Sequence, residues 1–459
     1  MNKRWAILWF LGVLFFLTQI SPAEEQAVEL RQKDKDFFGL GQWKQDLKKS
    51  APWLELGGDF RFRVVYDEAR KLDKQATGHD RLNTRYRVRV WAKIKQSDDL
   101  EFNIRLMTEP RYYHRPPSMD KQLTYEEAML DILNMKWKNA FGLPWEITAG
   151  RQEIKLGSGL LIRDGTPLDG GNTYFFDALR FTYECQGRNT TLDLIWVDNH
   201  GDSAKRIKPF NDKDNDLIEQ DERGLIVYAS DKSRKKTQLD GYFIYKNDHH
   251  RNRSSGTEGN IYTFGTLIKG DISEHWKYQL EFAPQFGHKN GKELNAFATS
   301  NQLAYHFNDV KKNRIHFGYE YLSGNDDPDK NFDRLWGRVD DLWSKLYQCS
   351  IDSIDGRSAD SSNLHRLNVG WVTEPSEKLQ IETNYHLLFA DDNTSAGGTN
   401  GLSKSGNFRG QLFRTEIKYN VSKQLCHRVE FELFCPGDFY NNDRNDMAIF
   451  FRYAIQFTW

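Results

Sequence analysis

The sequence predicts an all-β fold, a transmembrane antiparallel up-and-down β-barrel of about 18 strands. Three observations predict it: long segments in which apolar and ionic residues alternate, short and long connections that alternate along the chain, and an amphipathic last segment. Composition agrees. The 459 residues include 14% aromatic and 28% charged residues, and a mean hydropathy of −0.74 is too polar for a helical membrane protein. A barrel wall averages to polar because only one of its faces contacts lipid.

Alternation with a period of two is the first observation. Successive side chains of a strand point to opposite faces, so such a segment has one apolar and one ionic face. The clearest example, from Arg81 to Lys95, alternates arginines with aromatic and β-branched residues. Several segments extend over ~10 residues or more, as a tilted membrane-spanning strand requires, whereas strands of soluble proteins cluster near ~5–6. The strand assignments near Met129, Leu225, Ile261 and Ala296 are the weakest.

The connections and the last segment supply the other two observations. Short links such as 96–99 and 421–424 alternate with long polar segments, of which 323–362 is the longest. A barrel with both ends in the periplasm has short inner turns and long outer loops, so we expect 323–362 to be extracellular. The last segment, 447–459, carries apolar residues on one face. It is predicted to pair with the first strand, which removes the open sheet edge, and to be read by the outer-membrane assembly machinery.

Three segments are predicted along the chain: a signal peptide (1–23), a periplasmic N-terminal segment (24–51) and the barrel (52–459). Lys3 and Arg4 precede an apolar run and a small-residue cleavage site, which is typical of a secretory signal peptide. The alternative is a membrane anchor, but the apolar run is shorter than the ~20 residues that a spanning helix needs. The predicted location is therefore the outer membrane of a Gram-negative-type envelope.

Arginines are concentrated on the face predicted to point into the lumen. The candidate substrate-binding, pore-lining residues are Arg61, Arg63, Arg85, Arg87, Arg89, Arg105, Arg180, Arg366, Arg414 and Arg452. Guanidinium groups bind carboxylates bidentately, and clustered cations raise the local concentration of anions. The alternative is that Glu55, Asp59, Asp67, Glu101 and Glu109 neutralise them in structural ladders, and the sequence leaves both open. Acidic residues elsewhere on the inner face predict a field across the lumen.

Several segments resemble the alginate-export proteins of the outer membrane. The residues that carry the resemblance are Gly57–Arg63, Arg81–Lys95, Gly150–Glu153, Phe176–Arg180 and Gly318–Asp327. The resemblance extends from about Leu54 to the end of the sequence. It implies a monomeric barrel of about eighteen strands with a basic, constricted pore. Its motifs are specific for the family and not for the substrate, because relatives with this domain are similar to general porins and oligosaccharide channels as well.

The predicted function is passive passage of anionic saccharides, such as alginate or other uronate polymers or oligomers. The alternative is a general outer-membrane porin with little substrate preference. The expected partners are the anionic polysaccharide or oligosaccharide, outer-membrane lipid, the assembly machinery and periplasmic export partners. Neither nucleic acid nor a cofactor is expected, because the net charge is −1 and no cofactor motif is present.

Enzymatic and metal-binding functions have little support in the sequence. Histidines are scattered over different predicted loops with no nucleophile motif beside them, so no catalytic residue is predicted. Two acidic segments, 212–219 and 326–333, invite comparison with a calcium loop. In the first, Leu217 stands where the sharp turn requires glycine and Arg223 where a bidentate glutamate is required, so a solvated loop is expected.

Overall fold

The computed structural model describes residues 39–69, 71–119, 123, 128–163, 175–185, 187–202, 207–210, 218, 220–250, 256–337, 343–351, 362–393 and 402–459. The predicted signal peptide lies outside the described residues. The chain divides into two units, Met1–Pro52 and Trp53–Trp459. The described part of the first unit contains the helix α1 (Leu40–Ser50). No helix among the described residues has the length and apolar character that crossing a membrane requires.

The second unit is built from β-strands. In chain order they are β1 (Leu54–Glu68), β2 (Asp80–Lys95), β3 (Leu100–Thr108), β4 (Arg111–Arg115), β5 (Ala128–Trp137), β6 (Trp145–Gln152), β7 (Ile162–Arg163), β8 (Phe176–Cys185), β9 (Thr190–Asn199), β10 (Asp221–Asp231), β11 (Thr237–His249), β12 (Gly259–Asp271), β13 (Trp276–Lys289), β14 (Lys292–His306), β15 (Arg314–Leu322), β16 (Trp336–Gly337), β17 (Leu364–Ser376), β18 (Leu379–Phe389), β19 (Phe408–Asn420), β20 (Leu425–Pro436) and β21 (Ala448–Thr458). Of the strands formed by described residues, eighteen make one closed antiparallel wall, which confirms the predicted fold class. β4 continues the line of β3 along β2, and β7 and β16 form a separate parallel pair.

The wall closes between β1 and β21. The two strands pair antiparallel from Asp59 opposite Thr458 to Glu68 opposite Ile449. Beyond this register the backbone N–H of Trp459 donates to the carbonyl of Gly58 at 2.9 Å, and the Gly58 N–H donates in return at 3.1 Å. A Cβ at Gly58 would lie 2.1 Å from the Trp459 indole ring, so this close approach requires glycine. Closure pairs the backbone groups that an open edge would leave exposed to hydrocarbon.

The two faces of the wall differ as the sequence predicted. Val90 and Trp196 project outward with 44% and 50% of their surface exposed, whereas Arg87, beside Val88 on the same strand, is completely buried inside the closed wall. Outward aromatic residues also form cross-strand pairs, such as Phe243 with Phe264 at a ring-centroid distance of 4.9 Å. An apolar outer surface of this kind is what the hydrocarbon core of a bilayer requires.

Short turns and long loops alternate with one exception that the sequence did not predict. β13 and β14 are joined at their outer end by Asn290 and Gly291 alone. Both residues have positive φ, 51° and 77°, as a two-residue hairpin turn requires. Lys292 lies 2.6 Å from Asp327 and 3.4 Å from Asp329 of the loop between β15 and β17. Asp327 and Asp329 of that longer loop therefore contact the short hairpin at its outer end.

The described parts of two loops fold into the barrel and meet there. These loops are the β6–β8 loop (153–175), described to Arg163 and at Phe175, and the β15–β17 loop (323–363), described at 323–337, 343–351 and 362–363. Each contributes one strand to the parallel pair in which Ile162 lies opposite Trp336. Their apolar residues form one buried cluster with inward-facing residues such as Ile226 and Ile244, both fully buried. Burial of this apolar surface stabilises the inward fold of both loops. The lumen on the side of β9 to β14 is therefore filled by protein.

Candidate functional site

The candidate site is the inner face of β1, β2 and β3, where the sequence places six arginines. In the β1–β2 ladder Arg61 lies directly opposite Arg87, and Arg63 directly opposite Arg85. Like charges in opposite positions destabilise a sheet, so this arrangement requires counter-charges nearby. The only acidic residue that this stretch of the ladder supplies is Asp59, opposite Arg89.

Asp59 is shared by two arginines. Its carboxylate lies 3.2 Å from Nη2 of Arg87 and 2.6 Å from Nη2 of Arg89. The three side chains are almost completely buried, so these charge-assisted bonds are screened little by water.

A second carboxylate, that of Glu109, is shared in the same way. It lies 3.1 Å from Nη2 of Arg61 and 2.7 Å from Nη2 of Arg85, although Glu109 belongs to the connection between β3 and β4. Together with the Asp59 group, four guanidinium ions thus share two carboxylates. The net charge of these six side chains is two positive units.

Arg105 on β3 is held differently. Its guanidinium binds the Asp131 carboxylate of β5, with Nη2 2.7 Å and Nε 2.9 Å from the carboxylate oxygens. It also pairs with Glu153 at the start of the β6–β8 loop. Arg105 therefore connects the arginine strands to the loop that fills the other side of the lumen.

The four remaining predicted arginines lie elsewhere on the inner face, each beside a carboxylate. Arg180 lies 2.8 Å from Asp193, Arg366 3.5 Å from Glu320, Arg414 2.7 Å from Glu430, and Arg452 2.5 Å from Glu430. The structure therefore does not bring all ten arginines into one cluster. Of the carboxylates that the structural-ladder alternative names, Asp59 and Glu109 pair with candidate arginines and Asp67 pairs with Arg81, whereas Glu55 and Glu101 form no ion pair among the described residues.

Exposure separates the arginines into two groups. Arg61, Arg63, Arg87 and Arg452 are at most 2% exposed. Four side chains keep contact with solvent: Arg85 (17%), Arg180 (25%), Arg366 (13%) and Arg414 (13%). Arg89 and Arg105 lie between these groups.

The wall opposite the arginine strands is acidic. Asp240 on β11 accepts a hydrogen bond from the Tyr228 hydroxyl at 2.6 Å, and Glu281 on β13 accepts one from Tyr242 at 2.9 Å. Glu281 also accepts from Ser158 of the β6–β8 loop. Among the described residues neither carboxylate has a cation at ion-pair distance, and β13 lies nine wall strands from β2. Charge thus differs across the lumen.

The inner segment, which we define as Trp343–Ile351 of the β15–β17 loop, lies inside the barrel. The Trp343 ring packs against His386 of β18 at a centroid distance of 5.2 Å. The Tyr347 hydroxyl accepts a hydrogen bond from Arg409 of β19 at 2.8 Å. This part of the loop packs inside the barrel, where Trp343 and Tyr347 are buried against the inner wall.

Glu432 on β20 anchors the inner segment. Its carboxylate accepts hydrogen bonds from the backbone N–H groups of Lys345 at 2.8 Å and Leu346 at 3.1 Å, and from the hydroxyl of Ser344. Desolvation and neighbouring arginines lower the pKa of Lys345 to about 7. Lys345 was not predictable from the sequence, because it lies in a long polar segment where no periodic pattern shows which residues point inward.

The acidic segments provide no metal centre that the structure describes. Asp327 and Asp333 in the second segment pair with Lys292 and Lys289, respectively. The acidic residues Asp212 to Glu219 of the first segment lie outside the described residues. In the described part of the chain no group of three or more His, Cys, Asp or Glu could hold a metal ion, and the four cysteines form no disulfide bond there.

Solved structures with the same fold come from Gram-negative bacteria. Pseudomonas aeruginosa OccK9 (OpdG) has a TM-score of 0.58 at 11% identity, with 88% of this chain and 98% of that chain covered. Acinetobacter baumannii OccAB2 has a TM-score of 0.56 at 11% identity, with 88% and 98% covered. Pseudomonas aeruginosa OpdQ has a TM-score of 0.57 at 13% identity, with 88% and 97% covered. At such identities the likeness shows the fold alone.

These neighbours are outer-membrane porins, and the closed wall of eighteen strands described above is of the same kind. No curated protein matches the chain. The sequence profile described as alginate export matches residues 52–450, which is most of the chain. The protein is an outer-membrane channel, and the chain belongs to the alginate-export family.

Proposed function

We propose that the protein is a passive channel for anionic saccharides, namely uronate polymers or oligomers such as alginate. The observation that carries the proposal is the sharing of Asp59 and Glu109 by four arginines, which leaves two positive charges on one side of the lumen. In a narrow lumen bounded by a low-dielectric wall, such a charge attracts anions and raises their local concentration.

The ten predicted arginines have different roles in this proposal. Arg85 and Arg180 are partly exposed, so their guanidinium groups can pair directly with a passing carboxylate. Arg61, Arg63 and Arg87 are buried on β1 and β2, beside Arg85, and act through the field that they generate. A uronate chain carries one carboxylate per residue and would exchange successive carboxylates between these exposed cations.

The proposal includes the organisation of the precursor. Residues 1–23 direct export and are removed, 24–51 remain in the periplasm, and 52–459 form the barrel as a monomer. Assembly machinery and periplasmic export partners act on these parts. We expect no catalysis by the channel, and incubation of purified protein with uronate oligomers should leave their length unchanged.

A general porin is the second candidate, and one observation favours it. Arg180, Arg366, Arg414 and Arg452 each lie beside a carboxylate, so much of the inner face is locally neutral. If these ion pairs only brace the wall, the channel would discriminate little between anions and cations.

Planar-bilayer recording separates the two candidates. A salt gradient gives the reversal potential, and uronate oligomers added to one side give the block of the current, with uncharged oligosaccharides of equal length as the control. We expect an anion-selective current that uronates block and the control does not. Arg85→Gln should reduce the selectivity, whereas Arg223→Gln, an exposed arginine at the outer rim, should not. An unselective current without block would favour the general porin.

A further inference from the structure

The short strand β4 carries two further polar side chains on the inner face of the wall. β4 keeps the register of β3 along β2, so Arg111 lies directly opposite Arg85, and Tyr113 directly opposite Asn83. Directly opposite residues of an antiparallel pair point to the same side of the sheet. Arg85 points inward, because it binds Glu109 on the inner face. Arg111 and Tyr113 therefore point inward as well, and both are partly exposed to solvent.

Arg111 differs from Arg85 in its partners. Arg85 lies 2.7 Å from the Glu109 carboxylate, whereas no carboxylate in the part of the chain that the structure describes lies at ion-pair distance from Arg111. Arg111 instead donates a hydrogen bond from Nη1 to the Tyr113 hydroxyl at 3.2 Å. A neutral hydroxyl accepts this bond and leaves the positive charge uncompensated. Arg111 therefore presents a net positive charge on the inner face.

Three arginines lie side by side in one row across the wall. Arg63 on β1 is directly opposite Arg85 on β2, and Arg85 is directly opposite Arg111 on β4. Like charges in such positions start only about 5 Å apart at Cβ and destabilise the sheet. The Glu109 carboxylate pairs with Arg85 and Arg61 but not with Arg111. An anion bound beside Arg111 would remove the repulsion that remains, so this position favours a negatively charged ligand.

The free hydrogen-bonding groups of the pair indicate which ligand fits. A guanidinium group has several N–H donors in a fixed fork, and Arg111 uses Nη1 for Tyr113, so other donors remain for a carboxylate. The Tyr113 hydroxyl accepts from Arg111 and can still donate its own proton. A cation and a hydroxyl side by side match a carboxylate with a sugar hydroxyl beside it, which is the arrangement in a uronate.

We propose that Arg111 and Tyr113, with Arg85, form a uronate-binding subsite, in which Arg111 pairs with the carboxylate and the Tyr113 hydroxyl binds a neighbouring sugar hydroxyl. The proposal rests on the proposed function and adds to it a defined binding position. The field of the buried arginines attracts any anion, whereas this subsite recognises one carboxylate together with its sugar ring. β4 pairs with the first residues of β2, so the subsite lies toward the outer end of the arginine strands.

The first test is the block of single-channel current by a uronate trisaccharide. Its uncharged methyl ester is the ligand control. We expect Arg111→Gln to raise the half-blocking concentration of the uronate by about tenfold, the effect of losing one charge-assisted hydrogen bond. Tyr113→Phe removes one neutral hydrogen bond and should raise it by about threefold. The methyl ester should block the wild type and both variants equally weakly.

Arg115→Gln is the matched control variant. It removes the same charge from the same strand, but Arg115 is half exposed and already pairs with Asp80 at 2.9 Å. We expect its half-blocking concentration to stay at the wild-type value. Tyr113→Phe keeps both the ring and the charge of Arg111, so it still tests the subsite if Arg111→Gln fails to assemble.

The second test measures stability in detergent micelles and needs no current. A cation that braces the wall lowers the unfolding midpoint in urea when it is removed. Arg111→Gln instead relieves repulsion with Arg85, so its midpoint without ligand should equal or exceed that of the wild type. The uronate trisaccharide should raise the midpoint of the wild type by mass action and leave that of Arg111→Gln unchanged.

The outcomes distinguish this inference from the proposed function. A wild-type channel that uronates do not block would overturn the proposed function, whatever the variants do. A wild type blocked by uronate, with the same half-blocking concentration in Arg111→Gln or an equal rise in Arg115→Gln, would overturn the subsite alone. A lower midpoint of Arg111→Gln without ligand would assign Arg111 a bracing role and also contradict it. Equal block by inorganic phosphate and by the uronate would show an anion site that does not recognise the sugar, which contradicts it too.

Discussion

Asp59 faces Arg89 directly across the β1–β2 ladder, and its carboxylate lies 2.6 Å from Arg89 Nη2 with both side chains almost completely buried. Because the same carboxylate also binds Arg87, removing it leaves two buried cations without this partner. We expect Asp59→Asn to destabilise the barrel by about 3–5 kcal/mol, which is the usual cost of breaking a buried pair. Urea unfolding in detergent micelles measures the change.

The matched control for Asp59→Asn is Glu55→Gln on the same strand. Glu55 is exposed and forms no ion pair among the described residues, so its substitution should change stability by less than about 0.5 kcal/mol. Equal effects of the two substitutions would show that Asp59 does not stabilise the arginine strands.

Removing Arg87 and Arg89 together tests the same group from the other side. Replacing both with Ser leaves the buried Asp59 carboxylate without its two cations, so the barrel should lose stability as well as anion preference. Adding Asp59→Asn to this double variant should restore much of the stability, because no buried charge is then left. Unfolding midpoints of the three variants form the cycle that measures the coupling.

Val88 lies between these two arginines on β2 and points outward, so it provides the control for the assignment of inner and outer faces. Val88 is 36% exposed on the lipid side, so Val88→Arg should cost ~2–4 kcal/mol and impair assembly without changing any lumen charge. Normal assembly of Val88→Arg would contradict the assignment of faces.

In the cycle of Asp59→Asn and the double Ser variant, additive changes in the free energy of unfolding would contradict the shared role of Asp59.

Trp336 is predicted to hold both inward loops in place. It is 1% exposed, packs on Phe176, and its indole N–H donates to Glu222 at 3.0 Å. Trp336→Ala should cost about 3–5 kcal/mol through the cavity it leaves, and single-channel conductance and current noise should rise as the loops loosen. Trp336→Phe keeps an aromatic ring at this position and loses only the N–H donor and part of the volume, so it should change conductance little, since Lys246 still neutralises Glu222. Unchanged conductance in both variants would mean that other contacts fix the loops.

Epitope tags in the β15–β17 loop test the topology. A tag inserted after Lys330, which is exposed, should bind antibody on intact cells. A tag inserted at Gln348 of the inner segment should either remain inaccessible on intact cells or prevent assembly, because Gln348 is fully buried. A third tag in the turn at 232–236 should be labelled only after the outer membrane is opened. Labelling of that turn on intact cells would reverse the assignment of inside and outside.

The strands were predictable where their two faces meet different surroundings. Arg87 and Val88 are neighbours with opposite burial, and this contrast is visible in the sequence as alternation. The assignment was weak near Leu225, Ile261 and Ala296, although strands run through all three. The structure gives the reason, because Ile261 and Ala296 face inward against the apolar loop cluster. Those strands have apolar surroundings on both faces, so alternation disappears.

The partners of the arginines were only partly predictable. The pattern assigns Arg61 and Arg85 to the inner face, but it does not show that both bind Glu109, which lies beyond the end of β3. Arg105 pairs with Asp131 and Glu153, which the ladder alternative did not include. Such contacts depend on how loops enter the lumen. The path of a loop is set by tertiary packing, which the alternation of apolar and polar residues along the sequence does not show.

The acidic groups Asp240 and Glu281 on the wall opposite the arginines also act on molecules whose net charge is zero. A gradient of potential across the lumen exerts a torque on any solute with a dipole moment. A zwitterion of zero net charge would turn its anionic end toward β1 and β2 and its cationic end toward β11 and β13. Such a solute would therefore pass in one preferred orientation, and two mirror-image zwitterions would present different groups to the same wall.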